Sequence, residues 1–286
     1  MKLKFIAILV IMTTLFATGC KSDQKTNNKE NKTLEIAYVD GWAEGVAMTH
    51  VATEIMKEKG YDVELKKAAV DLVFASLANG DLDVFMDAWL PATHKEKVAK
   101  FGDKIESLGV NFDNAKIGLV VPKYVTINSI EELNAHAEKF DGQIVGIEKG
   151  AGITKKTDIA VEDYNLDLNH LNSSSIAMLS ELQKAIQENR WIVVTGWAPH
   201  WKFGRFELKF LEDPKNIYGG AERIETYARK GFKTDDAFAN KFFANFHLNE
   251  SQMADLLVKM EEKGDKSALA KQWIAANQEL VNSWLK

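Results

Sequence analysis

Of the 286 residues, 36 are Lys or Arg and 41 are Asp or Glu, giving a formal charge of −5. That acidic balance, with no basic cluster interleaved with aromatics, excludes a nucleic-acid-binding surface. The single cysteine, Cys20, excludes an intramolecular disulfide.

Residues 1–19 have the makeup of a secretory signal: Lys2 and Lys4, the apolar run FIAILVIMTTLFA, then the small residues Ala17, Thr18 and Gly19. The run is short for a permanent membrane span. Cys20 follows directly, and the arrangement resembles the lipobox of bacterial lipoproteins, which implies a lipidated N-terminal cysteine after cleavage. An ordinary signal peptide with an incidental cysteine is the alternative. The stretch KSDQKTNNKENKT holds no large apolar side chain and must stay solvated, so residues 20–33 read as an anchored cysteine with a flexible tether. Cleavage removes two lysines and takes the formal charge to −7.

About 250 residues remain, enough for one large domain or two ordinary ones. From Leu34, strand and helix patterns alternate. LEIAYV predicts a strand, and AEGVAMTHVATEIMKEKG a helix with Val46, Val51, Ile55 and Met56 along one face. YDVELKK predicts a second strand, AVDLVFASLANG a helix stopped at Asn79-Gly80, and LDVFMDAW a third strand. This βαβαβ rhythm implies a parallel sheet flanked by helices. After IGLVVPKY the rhythm restarts. SIEE at Ser129–Glu132 has capping-box spacing for a helix, QIVGIEKG predicts a strand, and AGITKKTDIAVEDYN and SSIAMLSELQKAIQENR predict helices before the strands WIVVTGW and LKFLED. Two such units imply two α/β lobes. Beyond TYARKGF the chain reads as helical to Lys286, with caps expected at Thr234, Ser251 and Ser267.

Ligands of open parallel sheets bind beyond the carboxyl ends of the strands. Trp42, Trp89 and Trp197 all fall at such ends, in AYVDGWAE, DAWLPATH and TGWAPHW. One tryptophan there can simply plug a core edge. Three in corresponding places point to a shared cause, because indole faces can surround a cation that donates no hydrogen bonds, such as a quaternary ammonium. Sugars, which stack on aromatic faces, fit in part. In KGAGITKKTD two glycines precede a helix, so the backbone N–H groups of Gly152 and Ile153 can face an anion. The alternative is that these glycines only let the chain turn.

AYVDGWAEGVA, DAWLPATH, GLVVPKY, GIEKGAGI, TGWAPHW and LEDP with ARKGF, in this order, resemble the glycine betaine-binding lipoproteins of osmoprotectant ABC transporters, over nearly the whole mature chain. The resemblance implies a two-lobed periplasmic-binding-protein fold of type II, α/β, with a small, mainly parallel sheet in each lobe and the ligand in the cleft. The lobes are expected over residues 34–117 with 222–286, and over residues 118–221. It implies an ammonium cage of Trp42, Trp89 and Trp197, and a carboxylate site of His94 with the backbone of Gly152 and Ile153. The expected protein is a monomeric, non-enzymatic receptor, lipid-anchored on the outer face of the cytoplasmic membrane, that needs no cofactor. It hands glycine betaine or a related quaternary ammonium osmolyte to an ABC permease.

Receptors for carnitine, proline betaine or choline are alternatives, although choline lacks the carboxylate that the anion site suits. A carbohydrate-binding or carbohydrate-active protein is the alternative from another class. The enzyme would need two carboxylates at a bond-cleaving separation, and no pair stands out. Asp40, Asp87 and Glu44 are read as structural or solvated, with a contribution to the cation site as the other possibility. His200 and Trp201 are read as loop packing. His50, His136, His170 and His247 have no metal-ligand spacing, so no metal is expected.

Overall fold

The computed structural model describes residues 32–286. The signal segment, Cys20 and nearly all of the tether lie outside the described residues.

Strand β1 (Thr33–Tyr38), helix α1 (Ala43–Glu58), β2 (Asp62–Lys67), α2 (Val70–Asn79) and β3 (Val84–Leu90) realise the βαβαβ unit, with β1 parallel to both β2 and β3. All seven residues of β3 are buried, as befits a strand covered on both faces. Helix α2 stops where Gly80 turns left-handed at φ 84°, the predicted Asn-Gly end. Helix α1 is buried almost all round, from Glu44 to Met56, so the expected single apolar face is only part of its buried surface.

A short helix, α3 (Lys95–Phe101), leads to β4, an unusually long strand over Ile105–Pro122. The second unit continues with β5 (Gln143–Val145), α4 (Gly152–Asp163), β6 (Asn169–Leu171), α5 (Ser175–Gln187), β7 (Val194–Ala198), α6 (Lys202–Arg205) and β8 (Leu208–Phe210). The chain then returns through β9 (Glu222–Arg229) to the helices α7 (Phe232–Asp235), α8 (Ala237–Asn245), α9 (Glu250–Met260), α10 (Lys266–Ala276) and α11 (Gln278–Trp284).

The strand order is β2-β1-β3-β9-β4-β7-β5-β6, with β8 on β4. Strand β4 joins the two halves: Ile105 to Ala115 pair antiparallel with β9, and Lys116 to Pro122 pair antiparallel with β7 and β8. The parallel sets β2-β1-β3 and β7-β5-β6 therefore flank a central antiparallel pair, so the sheet is mixed, with each outer set parallel.

Several local expectations shift. Ser129 and Glu132 do make the capping box, but it opens a single 3-10 turn at Ile130–Glu132 and then a 3-10 stretch at Asn134–Phe140, not an α-helix. The true caps in the helical tail are Asp236, Asn249 and Asp265, whose side chains accept from Ala239, Gln252 and Ala268. Each outcompetes the expected Thr234, Ser251 or Ser267, as strong Asx caps do. Ser267 instead donates to Glu54 of α1. The tail is anchored by an aromatic cluster in which Phe246 and Trp284 lie 4.3 Å apart between ring centroids. Burying such rings contributes roughly 1.5 to 3 kcal/mol each.

Candidate ligand-binding site

Trp89 lies one residue before the end of β3, where the chain folds back on itself. The Leu90–Pro91 peptide is cis. The His94 backbone N–H then donates to the Trp89 carbonyl, and the Trp89 N–H donates to His94 Nδ1, both at 2.9 Å. Glu222, the first residue of β9, clamps this loop by accepting the N–H groups of Ala92 (3.0 Å) and Thr93 (2.8 Å) together with the Thr93 hydroxyl.

The second Trp-Pro-His segment has the same plan. Trp197 lies one residue before the end of β7, a strand that starts at Val194 and not at the expected Trp191. The Ala198–Pro199 peptide is also cis, and His200 Nδ1 accepts the Lys202 N–H at 3.0 Å. His200 packs its edge against the Trp197 ring at 4.9 Å between centroids, so packing is indeed its visible role.

Trp42 is the residue at which α1 begins. Its ring stacks nearly parallel to His94, 5.7 Å between centroids with 8° between planes. Its indole N–H donates to Glu148 at 2.5 Å, and Glu148 also accepts from the Ser175 hydroxyl at 3.1 Å. Facing these groups is the N-terminus of α4, where the first backbone N–H groups, those of Gly152 and Ile153, have no intrahelical partner. Gly152 lies so close to Thr93 that an added Cβ would come within 2.5 Å of the Thr93 carbonyl oxygen.

All six expected site residues line one cavity: Trp42, Trp89, Trp197, His94, Gly152 and Ile153. Sequence reasoning missed Thr93, Ile117, Ile147 and Ala151 in its wall, because small and aliphatic residues carry no chemical signature. Glu44, read as structural or solvated, also borders the cavity, and its carboxylate accepts the Trp197 indole N–H at 2.9 Å. Asp87 sits behind Trp89 and accepts its indole N–H at 2.7 Å. Asp40 is exposed and pairs with Lys67 at 3.1 Å, the solvated alternative.

The electrostatics come from burial. Desolvation, aided by the charge of Lys97, lowers the His94 pKa to about 3, so the imidazole is neutral. Because Nδ1 accepts the Trp89 N–H, the proton must sit on Nε2. That Nε2 is buried and has no partner among the described residues. Desolvation also raises Glu44 to about 7, against the opposing pull of its backbone, the Trp197 indole and Lys202. Asp87 is pushed well above the carboxylate range by burial and then by Glu44. The cavity thus combines three indole rings with an unsatisfied neutral donor and two free backbone N–H groups, an arrangement suited to a ligand with an apolar cationic end and an anionic end. Among the described residues no cluster of potential metal ligands occurs, and no helix is long and apolar enough to cross a membrane.

Residues 32–276 match the family model described as the substrate binding domain of an ABC-type glycine betaine transport system. The glycine betaine/carnitine transport binding protein GbuC of Listeria monocytogenes is 44% identical over 150 residues, 51% of this chain and 50% of that protein. The aligned segment therefore spans half the length of that relative. Lactococcal OpuAC in its closed-liganded conformation with glycine betaine superposes with a TM-score of 0.84 at 37% identity, covering 89% of this chain and 100% of that one. An ABC-transporter choline-binding protein in complex with choline superposes with a TM-score of 0.82 at 27% identity, covering 88% and 91%. The fold is that of the type II periplasmic binding proteins, and the family is one of transport receptors, not an enzyme class. The chain belongs to the family of substrate-binding domains of ABC-type glycine betaine transport systems.

Proposed function

We propose that this protein captures glycine betaine, or a closely related quaternary ammonium osmolyte with a carboxylate, and delivers it to the permease of an ABC importer for osmoprotection. The trimethylammonium group sits among Trp42, Trp89 and Trp197. The carboxylate accepts from His94 Nε2 and from the backbone N–H groups of Gly152 and Ile153. The observation that carries this reading is the buried, unpartnered Nε2–H of His94, which in the same cavity as three indoles asks for an acceptor. Carnitine and proline betaine share that chemistry; choline does not. Two lobes, residues 34–117 with 222–286 and residues 118–221, close on the ligand, because the Trp42 and Trp89 loops belong to one and the Trp197 strand and α4 to the other. The mature chain acts as a monomer tethered outside the cell through lipidated Cys20, with residues 20–33 as the tether.

Calorimetric titration with glycine betaine, carnitine, proline betaine, choline and dimethylglycine tests the reading. Glycine betaine should bind more tightly than dimethylglycine, whose ammonium can carry an N–H that prefers water to a ring face. His94→Ala should weaken the carboxylate ligands while sparing any choline binding. Absence of binding to every member of the panel, or equal loss of choline and betaine in His94→Ala, overturns it. Anchoring is tested by Cys20→Ala and cell fractionation. A variant that stays membrane-bound with its signal cleaved removes the anchor.

A further inference from the structure

Behind the cavity lies a lysine that the proposed ligand site does not use. Lys202, the first residue of α6, is completely buried. Its Nζ sits 4.1 Å over the centroid of the Trp197 ring and donates to the Trp197 carbonyl at 3.1 Å. Lys202 is not among the residues that line the cavity, so it reaches a ligand only through that ring. The same indole is held from its edge by Glu44, which does border the cavity. One cage ring is therefore gripped by a buried cation over its face and a buried carboxylate at its N–H.

Resting on the quaternary ammonium reading above, we infer that Lys202 is a specificity-determining residue, which neutralises Glu44 in the cage wall and so favours a zwitterionic ligand over a purely cationic one. Left alone and ionised, the Glu44 carboxylate would attract any quaternary ammonium. It would also repel the carboxylate of a zwitterion held nearby on His94 and α4. With Lys202 present the pair carries no net charge, whether the proton sits on the amine or on the carboxyl. Burial disfavours both charged forms, and each partner offsets part of that for the other. Asp87, the next acidic group, has a buried Oδ2 without a partner among the described residues, and burial pushes its pKa well above the carboxylate range, which disfavours its charged form. His200 beside Lys202 is kept neutral by burial and by that lysine. Lys97, the other lysine acting on the cavity, is engaged by Asp71. A cation over one face of an indole also draws π density away from the face offered to a ligand, so removing Lys202 strengthens the ring's attraction for any ammonium.

The test is the ratio of choline to glycine betaine affinity, read by titration of the full mature chain at fixed salt and at a pH about two units above the Glu44 value of about 7, where its carboxyl is ionised. Lys202→Met, and Lys202→Gln, which keeps a donor for the Trp197 carbonyl, should each raise the ratio about tenfold, the order expected for one charge acting across a partly screened interior. Glu44→Gln, which leaves Lys202 unopposed, should move the ratio the other way. The double variant Lys202→Met/Glu44→Gln should return it towards that of the parent. Circular dichroism establishes which variants fold, and Glu44→Gln decides the matter should both lysine variants fail to fold. A ratio that stays fixed in folded variants, or equal loss of both ligands, overturns the inference while leaving the betaine reading intact. A parent that binds neither ligand removes both.

Discussion

The imidazole Nδ1 of His94 accepts the backbone N–H of Trp89, five residues back, at 2.9 Å. This one bond fixes which nitrogen carries the proton and ties the histidine, which lines the cavity, to the end of β3, while its Nε2 is buried without a partner among the described residues. It works only with a neutral ring, and that has a consequence for stability. The folded pKa is about 3 and the ordinary value 6.5. A depressed folded pKa means that the stability is present above the unfolded value and is lost as pH falls through the folded one. Replacing His94 with Gln removes this loss. Moving from about pH 7.5 to about pH 4.5 should cost the parent roughly 2 to 3 kcal/mol more than the variant. Glu44 runs in the opposite sense, because its folded pKa is raised to about 7, but it is common to both proteins and cancels in the comparison. Urea unfolding at the two pH values measures the difference, and equal losses would contradict a buried neutral His94.

The cage prediction concerns Trp89 and Trp197, whose indoles are fixed by Asp87 and Glu44. Leu in place of either keeps apolar contact and loses the ring quadrupole, so glycine betaine affinity should fall by about 1 to 2 kcal/mol per ring, roughly five- to thirtyfold. Phe should do less harm. Titration of folded variants reads this directly, and Leu variants that bind like the parent would sink the cation–π account.

The three tryptophans were legible in the sequence because each stands near a strand end with its own local motif, whereas His94 was reached only through the family resemblance that DAWLPATH carries. The wall was not. Ile117, Ile147 and Ala151 reach the cavity through the course of β4 and the α4 loop, and an isoleucine in a strand looks the same wherever it points. The joining of Glu44 and Lys202 was hidden for a different reason: they are 158 positions apart in the chain, and only the fold puts them on one indole. The long span of β4 across both halves was also illegible, since the apolar run GLVVP marks only its second half and the polar NFDNAK interrupts the pattern. The helical tail was recognised as helical but its caps were misplaced, because several Asx, Ser and Thr residues stand within a few positions of each helix start.

Glu222 offers a test of the loop itself. Its carboxylate holds two backbone N–H groups and one hydroxyl between Ala92 and Thr93. Glu222→Ala leaves those donors without their acceptor and should destabilise the protein by on the order of 2 kcal/mol. Because the same loop carries His94, betaine affinity should drop with it, while Glu222→Gln, which keeps one acceptor oxygen, should recover part of both. Unfolding midpoints and titrations of the two variants check the order. An alanine variant with parental affinity would show that the clamp does not position His94.

Gly152 offers a way to separate binding from stability. It opens α4, and nothing in its backbone requires glycine, since its φ is not positive. Alanine there suits the helix at least as well, worth up to about 0.5 kcal/mol. The constraint comes from the opposite wall: a Cβ would lie 2.5 Å from the Thr93 carbonyl oxygen and would also strike the Thr93 methyl. One of these contacts is with backbone, so a Thr93→Ser change, which removes only the methyl, leaves it in place. Gly152→Ala should therefore unfold at the parental temperature or slightly above it, yet bind glycine betaine at least about tenfold more weakly, because a clash of that depth costs more than about 1.4 kcal/mol to relieve. Small-angle scattering should show the variant failing to reach the compact form at a betaine concentration that saturates the parent. Parental affinity in Gly152→Ala would mean that α4 and the Thr93 loop never approach this closely around the ligand, and that the carboxylate is held elsewhere.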